Sequence, residues 1–180
     1  MEEILYYIGQ GFGLIAIALG FISFQMKTQR KLILAQLATA VVFCIHYALI
    51  GALTGMAMNV VGAIRCVAYY YRNQKGSKSP VIPIIFTVCM ATAGILTWTD
   101  WYSVFMLLGL VINTVFMASS APQRVRASIL VSSPLVIVYN VFTTSYGGIV
   151  YESVAIISSA IGIVRYIKEK NKEKIGCSEQ

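Results

Sequence analysis

Residues 32–50 read LILAQLATAVVFCIHYALI, a run without Lys, Arg, Asp or Glu, entered from Arg30-Lys31 and left through Gly51-Ala52-Leu53-Thr54-Gly55. A helix needs roughly 20 mostly apolar residues to cross the hydrocarbon of a bilayer, and this run meets that length between a charged boundary and a glycine-bounded turn. Its apolar residues are continuous rather than alternating, so it does not read as a strand of a membrane barrel.

The same pattern recurs on both sides, with apolar runs at about 4–24, 32–50, 56–71, 81–97, 103–118, 127–145 and 148–167. The expectation is an all-α membrane protein with seven transmembrane helices. The third and fifth runs are short, of a length that crosses with little tilt. Composition agrees: 58% of the 180 residues are hydrophobic and 12% charged, against about 45–50% and about 25% in soluble domains. A soluble globule is excluded. The net charge of +7 then reads as cytoplasmic loop charge near lipid rather than as a nucleic-acid surface.

Those charges alternate along the chain. Lys27, Arg30 and Lys31 follow the first run, Arg72, Lys75 and Lys78 the third, Arg124 and Arg126 precede the sixth, and Lys168, Lys170, Lys172 and Lys174 end the chain. The intervening connections hold Glu2 and Glu3, the turn 51–55, Asp100, and an uncharged turn around Tyr146-Gly147-Gly148. By the positive-inside rule the amino terminus lies outside and the carboxyl terminus in the cytoplasm, which requires an odd number of spans. The opening Met1-Glu2-Glu3 lacks the basic start of a secretory signal, so the first span reads as retained. Cys44, Cys66, Cys89 and Cys177 lack metal-ligand spacing, which makes neither disulfides nor structural zinc an expectation.

Displaced by 93 positions, spans 1–3 fall on spans 5–7, with Gly55 on Gly148, Leu37 on Leu130, Val61 on Val154, Arg72 on Arg165 and Lys75 on Lys168. The reading is a 3+1+3 arrangement of parallel three-helix repeats: unit 1 over 1–72, linker helix 4 with its flanking loops over 73–102, unit 2 over 103–167, and a basic tail over 168–180. An inserted single helix lets two odd-numbered units face the same way, and the space between them is the natural pathway.

Residues 23–31 (SFQMKTQRK), Gln36, residues 46–55 (HYALIGALTG) and residues 59–65 (NVVGAIR) together resemble the YgjV-like family of bacterial inner-membrane proteins. That resemblance implies the bacterial inner membrane and no particular reaction. The layout is also similar, more remotely, to the SWEET and PnuC type transporters of the PQ-loop superfamily, which implies facilitated diffusion of a small solute. PQ-loop proteins carry Pro-Gln near the inner end of a unit's first helix, where this chain has Phe24-Gln25 and Met117-Ala118. The resemblance therefore supplies no proline hinge. Pro134 lies inside span 6, where it removes a backbone hydrogen bond, but its counterpart Val41 would keep any kink to one unit.

Polar groups at membrane depth are costly and mark sites or helix-pairing bonds. His46 and Asn59 each lie about four residues from the turn, hence roughly 6 Å inside it. Tyr139, Asn140 and Glu152 hold the matching depth in unit 2, so a polar ring is expected near the outer half of the unit interface. Arg65, roughly 10 Å from Arg72 along its helix, either faces the cavity or snorkels to the headgroups. Asn59, Asn140, Glu152, His46, Tyr139 and Arg65 are thus the candidate substrate-binding residues for a small polar solute. Gln36, Asn113 and Gln10 read as packing bonds, and Gly9 with Gly13 as a close helix approach. Tyr69, Tyr70, Tyr71, Trp98 and Trp101 read as an aromatic belt. One histidine and one carboxylate within a span supply neither a metal site nor paired catalytic carboxylates, so neither enzyme nor cofactor is expected. The leading expectation is a small-solute transporter. The alternative is a non-transporting membrane protein that binds a partner, and a homodimer is permitted by either.

Overall fold

The computed structural model describes residues 2–178 except Gln25, Lys27, Lys78 and Ser120, and describes no side chain at 2, 21, 23, 24, 29, 122 or 172–178. Lys27, Lys78, Gln25 and the side chains of Glu2, Phe24, Lys172, Lys174 and Cys177, all read above, lie outside the described residues. The chain forms seven helices: α1 Glu2–Phe24, α2 Gln29–Leu49, α3 Leu53–Gln74, α4 Val81–Leu96, α5 Ser103–Met117, α6 Pro122–Phe142 and α7 Tyr146–Ser178. Four of them, α1, α2, α6 and α7, are long and apolar enough to cross a membrane, while α4 and α5 are shorter apolar helices.

Several boundaries depart from the sequence expectation: α2 starts at Gln29 rather than 32 and α7 continues through the expected basic tail to Ser178, and three others bear on the site. Helix α6 begins at Pro122 rather than near 127, because proline at the first helical positions lacks only an amide that has no helical partner there. Arg124 and Arg126 are therefore helical rather than loop residues. The turn before α7 is Thr143-Thr144-Ser145, not Tyr146-Gly147-Gly148, which open α7. Those two glycines serve close packing instead. A Cβ on Gly147 would run into the backbone of Gly13, and one on Gly148 would lie 2.6 Å from the Asn140 amide. Third, α3 starts at Leu53, a turn's worth of chain before the expected 56.

Consecutive helices pack on one another through α1, α2 and α3, and again through α5, α6 and α7. Helix α4 touches α3 and α5, α3 also meets α5 directly, and α7 closes back on α1. Only Met90 and Gly94 of α4 are buried, as expected of a helix on the perimeter. Large apolar side chains are exposed on every helix, among them Leu14, Val41, Ile64, Ile84, Val115, Val131 and Ile161, which is the outward dressing of a chain whose solvent is hydrocarbon.

The turns that end α2 and α6 repeat each other bond for bond. Ala52 N–H donates to Tyr47 O and Ser145 N–H to Asn140 O, both at 2.9 Å, while Gly51 and Thr144 donate to Ala48 O and Val141 O. These paired bonds define a helix-terminating motif that places its central residue in the left-handed region, with φ 75 at Gly51 and φ 50 at Thr144. Every partner is related by the same displacement as Tyr47 and Asn140, which lie 93 residues apart and bond directly to each other.

The aromatic expectation splits. Tyr71 and Trp101 are exposed, but Tyr69 is buried and its hydroxyl donates to Thr114 O at 3.0 Å, tying α3 to α5.

A polar cavity between the helices

A cavity of about 100 Å³ opens between α2, α3, α5, α6 and α7. Helical spacing builds its walls. On α2, Leu32, Gln36, Thr39, Phe43 and Tyr47 recur every three or four residues and form one stripe, and α6 answers with Arg126, Ile129, Ser133 and Val136. Helix α3 contributes Asn59 and Arg65, α5 contributes Asn113, and α7 contributes Tyr151, Glu152, Ser158 and Ser159. Several walls are counterparts at the 93-residue displacement: Asn59 with Glu152, Arg65 with Ser158, Ala40 with Ser133, and Phe43 with Val136.

Arg65, only 5% exposed, donates through Nη1 to Thr114 Oγ1 at 2.6 Å, and the Thr114 hydroxyl donates in turn to Leu110 O at 2.6 Å. The Nε of Arg65 has no partner among the described residues, and neither do Gln36 Oε1, Asn113 Oδ1 and Ser159 Oγ. All four of these residues line the cavity. A buried polar atom left dry costs about 1–3 kcal/mol, so four together would cost on the order of 4–12 kcal/mol. That approaches the whole stability of a typical domain, about 5–15 kcal/mol. These atoms are consequently groups for water or a polar solute to meet.

The candidate residues separate into two layers. Asn59, Glu152 and Arg65 lie on the cavity wall, with Asn59 Nδ2 also donating to Gly55 O at 2.9 Å. His46, Tyr139 and Asn140 lie beyond it, toward the turns, fully buried and engaged in helix-pairing bonds, although Asn140 Nδ2 has no partner among the described residues. His46 holds Gly9 O through Nδ1 at 2.7 Å and Ser145 Oγ through Nε2 at 2.6 Å. Ser145 Oγ in turn accepts Gly148 N–H at 3.3 Å. Tyr139, the counterpart of His46, accepts Gly55 N–H, the counterpart of Gly148, at 2.9 Å. Between these bonds the Tyr47 hydroxyl donates to Asn140 Oδ1 at 2.6 Å. Phe43 packs edge-on against Tyr151 at 5.0 Å and stacks on Tyr47, so an aromatic layer and the bonded layer behind it close the cavity at the turn end.

At the opposite end the walls reach Leu32 and Arg126, within four residues or about 6 Å of where α2 and α6 begin. The Arg126 guanidinium lies over Gly162, whose missing side chain makes its room: a Cβ there would sit 2.9 Å from Arg126 Cζ.

Sequence reasoning missed Arg126, Ser133, Ser158 and Ser159, and read Gln36 and Asn113 as packing bonds. The signal for Arg126 was available in Pro122, which starts α6 early enough to bring the arginine into the wall. The Gly9 and Gly13 reading of close approach holds, since a Cβ on Gly9 would crowd Leu49 and Ile50 and one on Gly13 the backbone of Gly147.

Residues 7–170 match the sequence model of a protein family, Imp-YgjV, described as bacterial inner membrane protein. No curated protein and no solved structure matches the chain.

Proposed function

The chain belongs to the Imp-YgjV family of bacterial inner membrane proteins, and from that premise we propose that it is a small-solute transporter whose pathway is the polar cavity. The observation that carries this reading is that, of five buried side-chain polar atoms without a partner among the described residues, all but Asn140 Nδ2 belong to residues lining the one cavity. A purely structural core leaves few such atoms.

In this reading all seven helices span, α1–α3 and α5–α7 are parallel repeats, and α4 is the linker that lets both face the same way. The recurrence of the two turns and of the cavity walls at one displacement supports it. The Lys- and Arg-bearing helix ends lie in the cytoplasm with the carboxyl terminus, and the amino terminus lies outside. The solute enters from the basic end, meets Arg65, Arg126, Asn59 and Glu152, and leaves when the layer of Tyr47, Asn140, His46 and Tyr139 parts. His46, Tyr139 and Asn140 then act in closure rather than in direct binding. The solute is moved and not converted, and no cofactor takes part.

The test is uptake into vesicles reconstituted with purified protein, using pooled radiolabelled sugars, nucleosides, amino acids and organic acids. Accumulation of one class above empty vesicles, lost on Asn59→Ala and Glu152→Gln, is the expected result. Absence of uptake for every pool, together with a cysteine at Ser158 that a soluble thiol reagent fails to label, would favour the partner-binding alternative.

A further inference from the structure

The charge carried by the cavity narrows the solute. Two guanidiniums, Arg65 and Arg126, share its wall with one carboxylate, Glu152. Among the described residues neither arginine has an acidic partner. Arg65 bonds Thr114, and Arg126 reaches only Gln123 Oε1 and Gly162 O, each at 3.4 Å. Arg65 is buried and Arg126 half-buried; a buried guanidinium without an anion, as at Arg65, is held against a large desolvation cost, which a bound anion offsets. Arginine also offers the forked donor pair that matches a carboxylate.

Glu152 lies six residues from Ser158 on α7, as Asn59 does from Arg65 on α3, so the carboxylate and the Arg65 position stand roughly 9 Å apart along the helices. The remaining unpartnered atoms on residues lining the cavity are the acceptors Gln36 Oε1 and Asn113 Oδ1 and the hydroxyl Ser159 Oγ. They complement a solute that donates hydrogen bonds from its body.

We propose that the cavity binds a small hydroxy-monocarboxylate, its carboxylate held between Arg65 and Arg126 and its hydroxyls turned to Gln36, Asn113 and Glu152. With Glu152 ionised, one negative charge on the solute brings the cavity to neutrality, and a neutral polyol or a zwitterionic amino acid leaves one guanidinium uncompensated. The inference deepens the transport reading but rests on binding alone.

Thermal unfolding of the full-length protein in detergent is followed with lactate, glycerate and gluconate, and with glycerol, glucose, alanine, serine and sodium chloride for comparison, since a ligand of the folded state raises the midpoint. At least one of the three hydroxy acids raises the midpoint, and its apparent affinity falls on the order of thirtyfold or more in Arg65→Gln. Arg126→Gln, at a less buried position, provides the same readout should Arg65→Gln fold poorly. A shift from neutral polyols or amino acids alone, a response equal to that of sodium chloride, or no shift from any compound overturns the inference. The two readings fail separately. Binding of a hydroxy acid without uptake into vesicles defeats transport and leaves the site, whereas uptake of a neutral solute with no hydroxy-acid shift defeats the site and leaves transport.

Discussion

Thr144 holds the left-handed position at the end of α6 that glycine holds at the end of α2, with φ 50 against φ 75. A β-branched residue pays about 1–2 kcal/mol for that conformation, and a glycine there recovers most of it less its greater chain entropy. Thr144→Gly is expected to raise the unfolding midpoint by an amount equivalent to about 0.5–1 kcal/mol, because the Thr144 carbonyl that accepts Tyr6 Oη and Gln10 Nε2 is backbone and survives. Equal or lower stability in a detergent melt would count against the strain. Close packing gives the opposite sign at Gly147, where a Cβ meets the backbone of Gly13 and cannot be relieved by a rotamer. Gly147→Ala is expected to cost about 1–3 kcal/mol, while Gly11→Ala, with open space around it, leaves the melt within about 0.5 kcal/mol of the parent.

The layer that closes the cavity is built where α2 and α6 meet, and its central bond joins residues that occupy the same place in each half. Tyr47→Phe removes the donor to Asn140 Oδ1 and leaves an amide whose Nδ2 already lacks a partner, at an expected cost of about 1–3 kcal/mol. Replacing both partners with apolar groups avoids stranding either one, so Tyr47→Phe combined with Asn140→Leu should melt closer to the parent than Tyr47→Phe alone. A double-mutant cycle reads this directly, and simple additivity would show that the bond carries little coupling.

The helices themselves were legible, because each is an uninterrupted apolar run and lipid leaves the backbone few alternatives. The layering of polar side chains was not. Counted from the turn, His46 and Asn59 stand at one depth, but α3 starts at Leu53, which sets Asn59 six residues or about 9 Å inside its helix while His46 stands three residues or about 5 Å inside α2. Glu152 and Tyr139 divide in the same way, six residues into α7 and three from the end of α6. Boundary errors of three residues are negligible for locating a span but amount to most of a helical turn for a side chain. Arg126 was lost to the same cause, and the facing of Gln36 and Asn113 depends on helix rotation that hydropathy does not encode.

At the scale of the whole molecule, the two ends of the cavity are unlike. The turn end carries the aromatic layer and, behind it, two related sets of bonds, Tyr139 to Gly55 and His46 through Ser145 to Gly148. The basic end carries no comparable second layer over Arg126 and Ser159 among the described residues. Under the transport proposal the cavity is shut at the turn end, and a thiol reagent should distinguish the sides. In a variant with Cys44, Cys66, Cys89 and Cys177 replaced by serine or alanine, single cysteines at Ser158 and at Ser145 are exposed to a membrane-impermeant reagent in inside-out and in right-side-out vesicles. Ser158→Cys is expected to label in inside-out vesicles at least tenfold faster than in right-side-out ones, and Ser145→Cys to resist labelling from both sides. Tyr47→Phe should narrow that asymmetry at Ser158, since it weakens the layer at the turn end of the cavity. Faster labelling of Ser158→Cys from the right-side-out face would reverse the assigned orientation. Equal labelling from both faces would mean that the bonded layer packs the helices without closing the path, and the distinction drawn between binding and closing residues would fall with it.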